Sequence, residues 1–284
     1  MSKIQTALDR AKGGRADARG QSTSQAAAST FDARGKVAYR NTGLLDVNNL
    51  RRVNVDWETF KANRLLTQDP TVRHPAQGAY RMLRTRLMQS MRSNGWRVLG
   101  ISSIGPDEGK TYTAINLAIS IVAEMDQEAI LVDLDLQRPS VYTQLGIDAG
   151  EFKSLSDYLE DGTQNLGDLL VSPGIERLGV LLSANPLQGS SDLLSSTRGK
   201  ELFAELRGRM PPEAVIIVDL PPLLVADDAL AVSPMLDALL LVVAEGQAER
   251  SDVAEARQML QEFNLVGTVL NKSIEKDSKR AQYY

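Results

Sequence analysis

Large apolar residues are spread unevenly along this 284-residue chain. Before residue 51 they are sparse, and "GGRADARGQSTSQAAASTFDARG" is built from Gly, Ser, Ala, Gln and charged residues with little to bury. Such a stretch cannot remove enough apolar surface from water to offset its ordering entropy, so residues 13–50 are expected to form a disordered linker. Ahead of it, Ile4, Leu8 and Ala11 recur at helical spacing and predict a short amphipathic helix over 1–12. A lead-in segment over 51–95 follows. Within it Tyr80, Leu83, Leu87 and Met91 predict a helix over 78–94 that stops near Asn94-Gly95 and carries Arg81, Arg84 and Arg86 on its other face.

From Trp96 onward the pattern changes. Short Val/Ile/Leu runs read as buried strands: "WRVLGISS", "AILVDLDL", "LGVLLSA", "AVIIVDLPPLL", "DALLLVVAEG" and "LVGTVLNKS". Between them "TAINLAISIVAEM", "SLSDYLEDG", "GKELFAELRGRM" and "SDVAEARQMLQEF" have helical character. This alternation predicts an α/β fold over 96–273, a mostly parallel twisted sheet with helices on both faces, followed by a flexible tail over 274–284.

In such a sheet ligands sit at the carboxyl ends of strands, and charged or hydroxylated residues collect at those ends here. In "ISSIGPDEGKTYTAINLA" Gly109, Lys110 and Thr111 open a helix, whose free amides, lysine charge and hydroxyl suit phosphates and Mg²⁺. The full phosphate-loop pattern would place glycine where Ile104 stands. "ILVDLDLQRP" ends a strand with Asp133 and Asp135, whose spacing of two puts both on one side of that strand, and "VIIVDLPP" ends another with Asp219. Carboxylates leaving two buried strands beside a GKT loop make a Mg²⁺ site.

Composition narrows the rest. The chain has no cysteine, hence no disulfide or thiolate metal site, and a single histidine, His74, which reads as a loop residue. No apolar run approaches the ~20 residues of a membrane span, and the N-terminus lacks a signal-peptide core, so a cytoplasmic protein is expected. Residues 1–97 hold 18 Lys and Arg against 7 Asp and Glu, whereas the remainder is acidic. A basic N-terminal arm on an acidic body suits an anionic surface or an acidic partner, and the acidic body disfavours nucleic acid.

These motifs together resemble the bacterial tyrosine kinases (BY-kinases) of exopolysaccharide and capsule biosynthesis, P-loop NTPases related to the partitioning ATPases. "SSIGPDEGKT" is similar to that family's S-S-x-x-P-G-E-G-K-[ST], in which the early glycine is commonly absent. "ILVDLDLQRP" resembles V-D-x-D-L-R-x-P with Gln137 for arginine, and "VIIVDLPPLLVADDA" resembles the Walker B segment. "SLSDYLEDG", "SSDLLSS" and "AYRMLRTRL" resemble connecting segments, and "MSKIQTALDRA" resembles the start of a subgroup encoded with exosortase systems. The tail "SKRAQYY" ends in Tyr283 and Tyr284, where the family is autophosphorylated.

The resemblance implies an ATP- and Mg²⁺-dependent protein-tyrosine autokinase. Pro106, Asp107, Glu108, Gly109, Lys110, Thr111 and Tyr112 would surround ATP, with Asn271 facing the adenine. Thr111, Asp135 and Asp219 would hold the metal, and Asp133 would accept or orient the tyrosine hydroxyl proton. A membrane-anchored chain-length determinant (co-polymerase) would hold the protein peripherally at the inner membrane, and Arg81 and Arg84 would support a homo-oligomer. Two departures are notable: Gly78 stands where the family has glutamate before those arginines, and Asp107 takes the glycine of P-G-E-G-K. They keep open an alternative, a catalytically weak nucleotide-dependent switch docking on the export machinery. A partitioning ATPase would carry lysine at the position of Gly105.

Overall fold

The computed structural model describes residues 44–69, 71–162 and 164–273. The expected helix over 1–12, the linker up to residue 43 and the tail with Tyr283 and Tyr284 lie outside the described residues.

The strands are β1 (Arg51–Arg52), β2 (Val98–Ser103), β3 (Ala129–Asp133), β4 (Leu170–Ser172), β5 (Leu178–Leu181), β6 (Val215–Asp219), β7 (Ala238–Ala244) and β8 (Leu265–Asn271). They form one sheet in the order β1-β4-β5-β3-β6-β2-β7-β8, parallel throughout except for the β4–β5 pair. Each strand expected from sequence is present. β1 and β4 are additions whose two and three residues are too short to carry a period.

Successive residues of the central strands point to opposite faces, and both faces are covered. Leu99, Ile101, Leu131, Val215 and Ile217 pack into one apolar cluster, while Val98, Ile130, Val132, Ile216 and Val218 pack into the other. Burial on two sides is why these strands read as continuous Val/Ile/Leu runs rather than alternating ones. Gly100 in the middle of β2 leaves room for Leu236, whose Cδ1 would lie 2.8 Å from an added Cβ.

The helices that concern the site are α1 (Trp57–Ala62), α2 (Gln77–Asn94), α3 (Lys110–Val122) and α4 (Val141–Leu145). α2 ends as its sequence predicts, on Gly95 in the left-handed conformation. α3 is almost wholly buried and packs beside α2.

The lead-in segment joins this body. Phe60, Leu65 and Leu66 are buried in the core, and Leu66 N–H donates to Asn116 Oδ1 of α3 at 2.7 Å. Residues 44–50 are packed as well. Leu45 and Val47 are buried, and Leu45 N–H donates to the Arg209 carbonyl at 2.7 Å, so the boundary expected near residue 50 falls earlier. Composition averaged over the linker hid those two apolar anchors. His74 is a loop residue, as its sequence suggests. Its Nδ1 accepts the Ala76 N–H at 3.1 Å, which leaves Nε2 to donate to the Arg64 carbonyl at 2.8 Å.

Candidate active site

The loop between β2 and α3 is shaped by its own side chains. Ser102 Oγ donates to the Pro221 carbonyl at 2.6 Å, tying β2 to the end of β6, and Ser103 Oγ donates to the Gly105 carbonyl at 2.7 Å. Glu108 turns back into the loop, where its Oε2 accepts the Ile104 N–H at 3.1 Å. Burial holds the Glu108 carboxyl above its usual range. Asp107 adopts φ +58° and Gly109 φ +92°, both left-handed. A Cβ on Gly109 would lie 2.1 Å from Asn271 Nδ2, so any larger residue must displace that side chain, and the positive φ favours glycine in either case. Gly109 is also the N-cap of α3 and offers no side-chain acceptor, which leaves first-turn amides for a ligand.

Lys110 and Thr111 begin the helix at the floor of a cleft of about 590 Å³. Lys110 Nζ is 2.7 Å from Asp135 Oδ2 and 3.8 Å from Asp219 Oδ2. Burial would lower the lysine's pKa, but Asp219 and Asp135 outweigh it, so the ammonium is held charged. Thr111 Oγ1 accepts from Lys110 Nζ at 3.1 Å and donates to Asp219 Oδ2 at 2.7 Å. Among the described residues Asp219 Oδ1 is buried without a hydrogen-bond partner. Burial pushes the Asp219 carboxyl up to about 6 against the opposing pull of Lys110 and the Thr111 hydroxyl. Among the described residues no group of three carboxylates or imidazoles converges into an all-protein metal cage. A cation here would depend on few protein oxygens plus phosphate and water, the Mg²⁺ preference.

Asp133 and Asp135 have different surroundings, contrary to the expectation that they share one side of a strand. β3 ends at Asp133, and the period-2 alternation ends with it. Asp133 is fully buried and its Oδ2 accepts the N–H groups of Ser140 at 3.2 Å and Val141 at 3.1 Å, bracing the turn into α4. Burial and the neighbouring Asp219 hold its carboxyl well above the usual range. Asp135 lies on the cleft wall with Lys110, beside Gln137, Arg138 and Ser140.

The remaining expected residues are distributed as follows. Pro106, Asp107 and Tyr112 line the cleft, but the Tyr112 hydroxyl is engaged with the Arg64 carbonyl at 2.8 Å and its ring meets Tyr80 edge-on. Asn271, expected to face the adenine, lies against the loop and also lines a neighbouring apolar pocket with Tyr80, Leu83 and Tyr112. Its Nδ2 donates to the Glu108 carbonyl at 2.9 Å, because β8 ends directly against the loop. Arg81 is exposed on α2. Arg84 is turned inward, with Nη1 donating to the Ser120 carbonyl at 2.8 Å and Nε 4.0 Å from Glu124. Sequence reading missed Lys272 and Arg138 as cleft residues; each adjoins a recognised motif, but a single cation in a loop has no periodic signature.

No protein-family profile matches the chain. It is 33% identical to tyrosine-protein kinase CpsD of Streptococcus pneumoniae over 184 residues, which cover 62% of this chain and 76% of that relative. It is 29% identical to tyrosine-protein kinase YwqD of Bacillus subtilis over 213 residues, covering 72% and 84% respectively. Among solved structures, the kinase domain of Escherichia coli tyrosine kinase ETK superposes with a TM-score of 0.66 at 25% identity, over 81% of this chain and 91% of that one. The Pyrococcus horikoshii septum site-determining protein MinD, solved with Mg-ADP, shares the fold at a TM-score of 0.51 and 21% identity, over 63% and 72%. With a phosphate-type loop at the carboxyl edge of this sheet and that degree of kinship, the chain belongs to the bacterial tyrosine-protein kinases.

Proposed function

We propose that this kinase is an ATP- and Mg²⁺-dependent autokinase that phosphorylates tyrosines of its own tail, Tyr283 and Tyr284, and thereby regulates exopolysaccharide or capsule polymerisation and export. The observation that carries the reading is the contact set of Lys110, Thr111, Asp135 and Asp219 at the floor of one cleft.

The residues present fit the nucleotide and the ion. Among the described residues Asp219 Oδ1 is a buried oxygen that lacks a donor, and the start of α3 has no side-chain cap for its N–H groups. Lys110 and the loop amides would hold phosphate oxygens, while the Thr111 hydroxyl, Asp219 and Asp135 would hold the cation with its waters. Bound Mg-ATP supplies the phosphoryl group and neutralises the charge that develops on it. Asp135, which lines the cleft, would orient the tyrosine hydroxyl and take its proton, in place of Asp133, which is fully buried behind the cleft wall. Pro221, Pro222 and Val225 form an apolar wall that can receive the acceptor ring.

A membrane-anchored chain-length determinant is the proposed partner, and through it the protein would sit peripherally at the inner membrane. Among the described residues no helix is long and apolar enough to cross a membrane. The test is mass spectrometry of the C-terminal peptide after incubation with Mg-ATP, with and without the partner's cytoplasmic tail. Phosphotyrosine at Tyr283 or Tyr284 is expected in wild type and absent in Lys110→Ala; its absence from wild type under both conditions rejects the proposal.

One observation favours a second reading, a nucleotide-dependent switch without phosphorylation. Arg84 is spent on the carbonyl of Ser120 within its own chain, so it is not free to present a neighbour's tail. Deleting Tyr283 and Tyr284 separates the two: polysaccharide output changes if the tail is the substrate and stays the same if nucleotide state alone is read.

A further inference from the structure

Two consecutive residues at the end of β8 hold two consecutive carbonyls of the phosphate loop. Asn271 Nδ2 donates to the Glu108 carbonyl at 2.9 Å, and Lys272 Nζ donates to the Asp107 carbonyl. A trans peptide is planar, with each C=O opposed to the N–H that follows it. Drawing these two oxygens toward β8 therefore turns the N–H groups of Glu108 and Gly109 the other way. Neither N–H has an acceptor among the described residues.

Asp107 makes such a hold necessary. It sits at φ +58°, a conformation that glycine adopts freely and a residue with a Cβ adopts at a cost. Among the described residues the Lys272 ammonium is the side-chain group that meets its carbonyl, and the Asp107 side chain itself is exposed. Lys272 is itself left-handed at φ +53°, and its side chain is exposed on the cleft rim, so no core packing accounts for its placement.

We propose that Lys272 is a positioning residue for nucleotide binding, paired with Asp107: it secures the left-handed loop residue and so aims the loop amides at the phosphates. The inference rests on the reading of this cleft as the nucleotide site. It predicts that the importance of Lys272 depends on what occupies position 107.

The test is a double-mutant cycle read by calorimetric titration of the full chain with Mg-ADP. Lys272→Met should weaken binding about tenfold in the wild-type background and less than about threefold in the Asp107→Gly background, where the loop needs no external hold. Lys272→Arg should keep affinity near wild type, and thermal unfolding without nucleotide should be the same for Lys272→Met as for wild type. Equal losses in both backgrounds would make Lys272 a plain charge contact and overturn the inference, as would no loss in either. A wild-type chain that binds no Mg-ADP sinks the nucleotide reading and this inference together, whereas normal wild-type binding with an unaffected Lys272→Met sinks this inference alone.

Discussion

Thr111 and Asp219 are 108 residues apart in sequence and share a 2.7 Å hydrogen bond, hydroxyl to Oδ2, beneath the floor of the cleft. The hydroxyl thus donates to a carboxylate whose other oxygen, Oδ1, has no hydrogen-bond partner among the described residues. Thr111→Val keeps the shape of the side chain and removes that donor. Phosphotyrosine formation should fall by ~10² or more, since a cation ligand and its orienting bond go together, and stability should drop by ~1–3 kcal/mol. Thr111→Ser, which restores the hydroxyl, should recover most of both. Wild-type turnover in Thr111→Val would remove Thr111 from the cation site.

The two acidic residues after β3 can be separated by asparagine. In Asp133→Asn the side-chain oxygen still accepts the Ser140 and Val141 N–H groups; the long 3.3 Å bond from the Asp135 N–H to Oδ1 is given up, and a like charge beside Asp219 is lost. That variant should keep its stability within ~1 kcal/mol and its phosphorylation rate within about threefold. Asp135→Asn loses the carboxylate nearest Lys110, on the cleft wall, and its rate should fall by ~10²–10⁴. Rates measured at saturating ATP decide it. The reverse ranking would return the proton-accepting role to Asp133.

Gly109→Ala places a methyl group on top of Asn271 in a backbone conformation that alanine disfavours. Nucleotide binding should be lost beyond about a hundredfold, because the loop cannot keep its path. Asn271→Ala added to Gly109→Ala clears the clash but leaves the positive φ and frees the Glu108 carbonyl, so it should restore thermal stability more than affinity. Full recovery of Mg-ADP affinity in the double variant would mean that space alone, not the loop's conformation, fixes glycine at this position.

The sheet was legible because its strands are buried on both faces, and runs such as Val215–Asp219 and Ala238–Ala244 advertise that burial residue by residue. β1 and β4 were not, since two or three residues carry no period of their own and β1 takes its place only by pairing with a strand far along the chain, Arg51 opposite Val171. Within the site, Lys110, Thr111 and Asp219 could be read from spacing because loop and strand geometry fix them locally. The different surroundings of Asp133 and Asp135 could not, as they turn on where β3 stops. The bond from Asn271 to the Glu108 carbonyl was not legible either, because its acceptor is a backbone group that no side-chain motif reveals.

The opposite edge of the sheet carries an ion pair whose pH dependence can be worked out. Asp237, just before β7, accepts the N–H groups of Arg97 at 2.7 Å and Val98 at 2.8 Å and a two-pronged contact from Arg207 at 3.0 and 2.9 Å. Burial alone would raise its pKa, but the Arg207 fork and the two N–H donors outweigh it and hold the carboxyl below its ordinary value. A depressed folded-state pKa means that, as pH falls, the unfolded chain takes up the proton first. The stabilisation is therefore complete above the unfolded value of about 3.9 and drains away as pH drops through the lower folded value. Asp237→Asn should cost ~1–2 kcal/mol at pH 7, limited by the partial exposure of the pair. Urea unfolding of wild type and variant should show the same gap at pH 7 and pH 5 and a shrinking gap below about pH 4. A gap that stays constant into acid would mean that the charge on Asp237 contributes nothing and that its hydrogen bonds act as neutral ones.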